Sequence, residues 1–127
     1  MKNTAFIKSR IKTLPELLPV VTGLKVMGKK VVFTNGVFDL LHEGHLLSLA
    51  QAAQEGDYLV VAVNGDSSVK KLKGDTRPLN NENSRALLLA SLIIVDAVII
   101  FHEETPLELV KQLMPDVMVK GGDYTVD

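Results

Sequence analysis

Four short segments of this chain are apolar without alternation: Val31-Val32-Phe33, Leu59-Val60-Val61-Ala62-Val63, Ala97-Val98-Ile99-Ile100-Phe101 and Val117-Met118-Val119. A strand with one wet face alternates apolar and polar side chains, whereas a strand covered on both faces has no polar side to show. Segments of helical character separate the four runs. Leu46, Leu47, Leu49, Ala50 and Ala53 form one, stopped near Gly56, and residues 82–94 form a longer one. Thr105-Pro106-Leu107-Glu108 reads as a helix start, with Thr as N-cap, Pro at the first position and Glu at the third; Pro115 ends that helix. Buried strands alternating with helices predict an α/β fold, a Rossmann-like parallel sheet with helices on both faces and right-handed crossovers. The polar stretch 64–81 reads as a loop.

Ahead of this pattern, residues 1–28 are expected to form an N-terminal helical arm, with the main domain spanning 29–127. Ile7, Ile11 and Leu14 have helical spacing, and a second helix is expected to begin near Pro19, using Val20, Val21, Leu24 and Met27 before Gly28. The 127 residues suit one domain, and a hydrophobic content of 46% supplies its core. Fourteen basic and 15 acidic residues leave a net charge of −1. That balance argues against a general nucleic-acid binder or a basic membrane-surface protein. With no cysteine, disulfides, thiolate metal sites and cysteine nucleophiles are excluded. No run approaches the length of a membrane span, and residues 1–10 have no apolar signal core, so a cytoplasmic protein is expected.

In a parallel sheet of this kind, ligands sit at the carboxyl ends of the strands, near the point where strand order reverses. Four polar segments fall there: residues 34–45, 64–66, 101–104 and 120–124. The first is the richest. Asn35-Gly36 allows a sharp turn, Asp39 follows, and His42 and His45 share a face at the start of the next helix. Free backbone N–H groups at such a helix start attract phosphate, and two imidazoles add donors aimed at the same place. Gly44, lacking a Cβ, would let a flat ligand approach the backbone. A His-x-x-His pair also suits zinc, but only Asp39 or Glu43 could supply a third ligand nearby.

His42-Glu43-Gly44-His45 resembles the HxGH signature of the cytidylyltransferase-like nucleotidyltransferases, and the longer string from Phe33 to His45 resembles their first loop. Further strings narrow the resemblance to the branch that adenylylates heptose 1-phosphate: Ala62-Val63-Asn64-Gly65-Asp66, Leu72-Lys73-Gly74, Arg77-Pro78-Leu79-Asn80, Val95-Asp96, Pro115-Asp116-Val117 and Val119-Lys120-Gly121-Gly122-Asp123-Tyr124. The resemblance runs from about residue 25 to the end.

It implies that an oxygen of a sugar phosphate attacks the α-phosphorus of ATP and pyrophosphate leaves, with no covalent enzyme intermediate. His42, His45 and Lys73 would be catalytic. Thr34, Asn35, Gly36, Phe38, His42, Gly44, His45, Arg85, Gly121, Gly122 and Asp123 would bind nucleotide. Asp39, Lys73 and Arg77 would meet the sugar phosphate, and Asp39 would also hold Mg2+. ATP and a sugar phosphate are the implied partners, with a homodimer as the assembly and neither nucleic acid nor membrane as a target. Lys70 and Lys71 read as solvated surface, and Asp96 as mainly structural. Relatives often have Asp-Arg where this chain has Ser84-Arg85. The family generally continues, after Gly-Gly-Asp, into a further strand and helix carrying a Ser/Thr-rich phosphate motif. The sequence stops at Asp127, so the fold is expected to lack them and turnover to be weakened. Two other readings stay open: a cytidylyltransferase acting on glycerol 3-phosphate or a related alcohol phosphate, and a non-catalytic nucleotide-binding module.

Overall fold

The computed structural model describes residues 1–120. Its elements run α1 (Thr4–Ser9), α2 (Leu14–Val26), β1 (Val31–Gly36), α3 (Glu43–Ala53), β2 (Tyr58–Asn64), α4 (Asp66–Lys73), α5 (Glu82–Ala90), β3 (Ala97–Phe101), α6 (Leu107–Leu113) and β4 (Val117–Lys120). The four strands are parallel, in the order β3-β2-β1-β4. Strand order therefore reverses beside β1, between its pairing with β2 and its pairing with β4.

The expected two-sided burial is present in β1, β2 and β3, whereas the edge strand β4 alternates and Met118 is 57% exposed. On one face Val32, Val61, Val63 and Val98 pack with Leu49 and Ala52 of α3 and with Ala86, Leu89 and Ala90 of α5. On the other, Val31, Phe33, Val60, Ala62 and Ile99 pack with Leu17 and Val21 of α2 and Leu109 and Leu113 of α6. No helix among the described residues is long and apolar enough to cross a membrane.

Four local expectations differ from the structure. The second helix begins at Leu14, not near Pro19. Thr13 Oγ1 accepts the Glu16 amide (3.3 Å) while Glu16 accepts the Thr13 amide (2.9 Å); this reciprocal cap starts the helix ahead of Pro19, and burial of Leu17 and Val21 holds it across the proline. The polar stretch 64–81 contains α4, because Val69 and Ser68 are buried against the rest of the fold although local hydrophobicity is low. The helix at residue 82 stops at Ala90 rather than near residue 94. Thr105 is not the N-cap of α6: the helix starts at Leu107 after Pro106, and the Leu107 amide reaches Thr105 Oγ1 only at 3.4 Å.

The chain also finishes its own sheet. Arg10 O accepts the Val98 amide and Lys12 N donates to Val98 O, each at 2.8 Å, so residues 10–12 cover the free edge of β3. Arg10 Nη1 donates to Ala90 O (3.0 Å), fastening this segment to the end of α5.

At the amino ends of the strands one device occurs three times. Asp57, Asp96 and Asp116 each precede a strand, and each carboxylate accepts the amide of a residue at the start of the neighbouring strand: Lys30 (2.8 Å), Leu59 (2.7 Å) and Val31 (2.8 Å). Each aspartate also donates its own backbone N–H to the carbonyl of that same residue. The reciprocal pair satisfies backbone groups that the ladder would leave open and fixes the register of the adjoining strand. Asp96 is thus structural, as expected, through a strand amide rather than a basic side chain.

Candidate active site

The turn after β1 is shaped by Phe38, which sits in the left-handed region (φ 51°) although it is not glycine, and which is buried. Such a conformation costs on the order of 1–3 kcal/mol and persists only where the surroundings impose it. Here the Phe38 ring lies edge-on to His45, with centroids 5.6 Å apart. The chain then delivers His42 to the N-cap of α3.

His42 Nδ1 accepts the Gly44 amide (3.0 Å), and His45 Nδ1 accepts the His42 amide (3.2 Å). The rings lie 4.1 Å apart. An Nδ1 that accepts a backbone N–H carries no proton in the neutral ring, so the proton resides on Nε2 of both residues. The backbone therefore turns the pair into two Nε2–H donors at the start of a helix, where the helix field already favours an anion. Gly44 has a reason other than ligand access: a Cβ there would lie 2.8 Å from His42 Cε1, so the missing side chain makes room for the folded imidazole.

Asp39 and Arg77 occupy one structural unit. Asp39 Oδ2 accepts Arg77 Nη1 (3.1 Å), Oδ1 accepts the amides of Leu79 (2.9 Å) and Asn80 (3.0 Å), and the Asp39 carbonyl accepts Asn80 Nδ2 (2.7 Å). Burial pushes the Asp39 carboxyl up, but the Asn80 and Leu79 amides and the Arg77 guanidinium outweigh it and hold the group below its ordinary value. Asp39, expected to hold Mg2+ and to meet substrate, latches the turn onto the segment before α5 through these bonds. No group of three or more His, Asp or Glu side chains among the described residues could cage a metal ion.

Arg85, expected to face the triphosphate, is completely buried. Nη1 donates to Val37 O (2.9 Å) and Asn64 O (2.6 Å), Nε to Asn80 O (2.9 Å) and Nη2 to Asp66 Oδ1 (2.7 Å). One guanidinium thus ties the end of β1, the end of β2, the start of α4 and the segment before α5. Its charge is matched by Asp66 and three carbonyls, so its place here is to position the loops.

A cavity of about 370 Å³ opens at the carboxyl ends of β1 and β2. Asn35, Gly36 and Val37 at the end of β1, Asn64 at the end of β2, Leu72 and Lys73 at the end of α4, and Glu104, Thr105 and Pro106 ahead of α6 line it. A smaller cavity of about 270 Å³ adjoins it where β1 meets β4, sharing Asn35 and Pro106 and adding Lys120. The structure thus brings Asn35, Gly36 and Lys73 together. It sets His42 and His45 at the head of α3 rather than in the cavity wall. Thr34 is buried within β1, and its hydroxyl has no hydrogen-bond partner among the described residues. Gly121, Gly122 and Asp123 lie outside the described residues. Sequence reasoning assigned no role to Asn64, Glu104 or Lys120, although each stands at the end of a strand, which was the available signal. Thr105 and Pro106 were absorbed into a helix start.

The profile of the cytidylyltransferase-like family matches residues 33–127, three-quarters of the chain. The chain belongs to the cytidylyltransferase-like family. Among relatives of this chain, the bifunctional protein HldE of Aliarcobacter butzleri (strain RM4018) is 56% identical over 116 residues, covering 91% of this chain and 24% of the relative. The bifunctional protein HldE of Geobacter sulfurreducens is 49% identical over 119 residues, covering 94% and 24%. The chain thus spans about a quarter of the length of these relatives. The crystal structure of the lipopolysaccharide core biosynthesis protein from Thermoplasma volcanium GSS1 superposes with a TM-score of 0.69 at 38% identity, over 79% of this chain and 80% of that one. The expected family and fold class are therefore those found.

Proposed function

We propose that this chain transfers AMP from ATP to a sugar 1-phosphate, D-glycero-D-manno-heptose 1-phosphate, releasing pyrophosphate. The observation that carries the reading is the His42/His45 pair at a helix start, where both Nδ1 atoms accept backbone amides and the ring proton of each therefore lies on Nε2. A phosphate oxygen of the sugar phosphate attacks the α-phosphorus, and the bond to the bridging oxygen of pyrophosphate breaks. Negative charge builds on that oxygen, and donors fixed in advance stabilise it without reorganising. Lys73 adds a cation at the cavity wall. The two substrates held side by side gain the advantage of an intramolecular reaction. ATP is taken as its Mg2+ complex, so that the cation arrives with the substrate. The choice of acceptor is supported by the ordered strings that resemble the heptose branch, by the HldE relatives, and by the likeness to a lipopolysaccharide core biosynthesis protein.

The test is pyrophosphate release by the full chain with ATP or CTP, each combined with heptose 1-phosphate or glycerol 3-phosphate. Release is expected with ATP and heptose 1-phosphate. Faster release with CTP, or tighter CTP binding by calorimetry, would overturn the adenylyl assignment.

A further inference from the structure

The 370 Å³ cavity holds two charges of opposite sign that do not meet. Among the described residues that line it, Lys73 is the only cation and Glu104 the only anion, and both residues are exposed. Neither makes an ion pair or a side-chain hydrogen bond among the described residues, whereas Asp39, Asp66, Arg77 and Arg85 around them are all paired. A cavity meant for phosphate alone has no use for an unpaired carboxylate, which repels the ligand. A carboxylate is an acceptor only, and what complements it in a neutral ligand is a set of hydroxyl donors. An ammonium and a carboxylate lining one cavity without pairing therefore suit a small molecule with an anionic end and a hydroxylated end. At about 370 Å³ the space lies near the lower limit for small-molecule sites, about 300–1,000 Å³. It fits one such molecule rather than a nucleotide and a sugar together.

We propose that Glu104 is a specificity-determining residue that reads the hydroxyl groups of the phosphorylated acceptor, while Lys73 in the same cavity takes the phosphate. This inference rests on the nucleotidyltransfer reading above and adds the means by which a polyhydroxylated acceptor is preferred to a plain phosphate ester. Thr105, next to Glu104 in the chain and lining the same cavity, offers a hydroxyl to the same part of the ligand.

The experiment compares wild type, Glu104→Gln and Glu103→Gln as full chains. Glu103 is the control, since its carboxylate accepts the His102 amide (3.2 Å) and does not line this cavity. Steady-state pyrophosphate release is measured against heptose 1-phosphate and against ATP, together with inhibition by inorganic phosphate. Glu104→Gln should raise the KM for heptose 1-phosphate at least about tenfold, the range of a hydrogen bond to a charged group. The kcat and the KM for ATP should stay unchanged. Inorganic phosphate should bind Glu104→Gln as well as wild type or more tightly, because a repelling charge is gone; Glu103→Gln should match wild type throughout. An unchanged or lower KM for heptose 1-phosphate in Glu104→Gln overturns the proposal while leaving the nucleotidyltransfer reading intact. A raised KM for ATP instead places the hydroxyls on the ribose and also overturns it. Absence of turnover by wild type defeats the nucleotidyltransfer reading, and this inference with it, before any variant is compared.

Discussion

The two ends of the sheet use the same kinds of side chain for opposite purposes. At the amino ends, Asp57, Asp96 and Asp116 each meet one amide of a neighbouring strand and return one N–H to the same residue. Each of these three carboxylates is matched locally by backbone, so the pairs close that end of the strands. At the carboxyl ends, Asp39 and Arg85 are paired across the loops, and they hold open a cavity in which Lys73 and Glu104 are not paired. An end that must bind a ligand leaves part of its hydrogen-bonding capacity unused, and that capacity has to be offset by rigid supports close by. Stability and function are therefore separated along the strand direction, with one exception: Arg85 stands at the functional end but acts on the frame.

That exception allows the comparison to be broken most strongly. Arg85→Ala removes the partner of Asp66 and of three carbonyls, and it should destabilise the domain by about 3–5 kcal/mol in urea denaturation, the usual cost of orphaning a buried charge network. A loss under about 1 kcal/mol would mean that the loops do not depend on it. Next in size, His45→Ala should cut pyrophosphate release at least about a hundredfold, as expected for one lost donor worth about 2.7–4 kcal/mol of barrier, while the circular dichroism spectrum stays folded. Near-normal turnover in folded His45→Ala would remove the imidazole pair from the mechanism.

The amino end should answer in reverse. Asp116→Ala leaves the Val31 amide without its acceptor and should cost about 1–3 kcal/mol of stability, with kcat unchanged at a temperature where the variant is folded. A large fall in kcat there would mean that the two ends are coupled. The smallest effect concerns acid. The folded-state pKa of Asp39 lies below its ordinary value of 3.8, so the latch contributes stability that is fully present above about pH 4. That contribution is lost as pH falls through the folded-state value. Urea midpoints from pH 6 to pH 2 should therefore fall less steeply for Asp39→Asn than for wild type at the acid end, and parallel curves would show that the latch does not titrate with folding.

Much of the carboxyl end could be read in advance because the turn residues are local. Asn35-Gly36, His42, Gly44 and His45 lie within eleven positions, and their helix-start geometry follows from spacing alone. The partners of Asp39 lie 38 to 41 residues away, and those of Arg85 up to 48. No periodicity records such pairings. The resemblance implied a nucleotide contact for Arg85, but which groups its guanidinium meets depended on where β1 and β2 ended in space.

The sequence alone determined the layering. Four runs without alternation required a sheet covered on both faces, since a strand apolar on every side finds no stable place beside water. From that followed the parallel strands, the helices between them and the gathering of polar segments at the carboxyl ends. Tertiary structure decided what hydrophobic pattern cannot encode. It made α4 out of a polar stretch by burying Val69, and it gave Asp39 its partners in the segment before α5. In each case the deciding energy comes from groups distant in the chain, which become neighbours only once the strands take the order β3-β2-β1-β4.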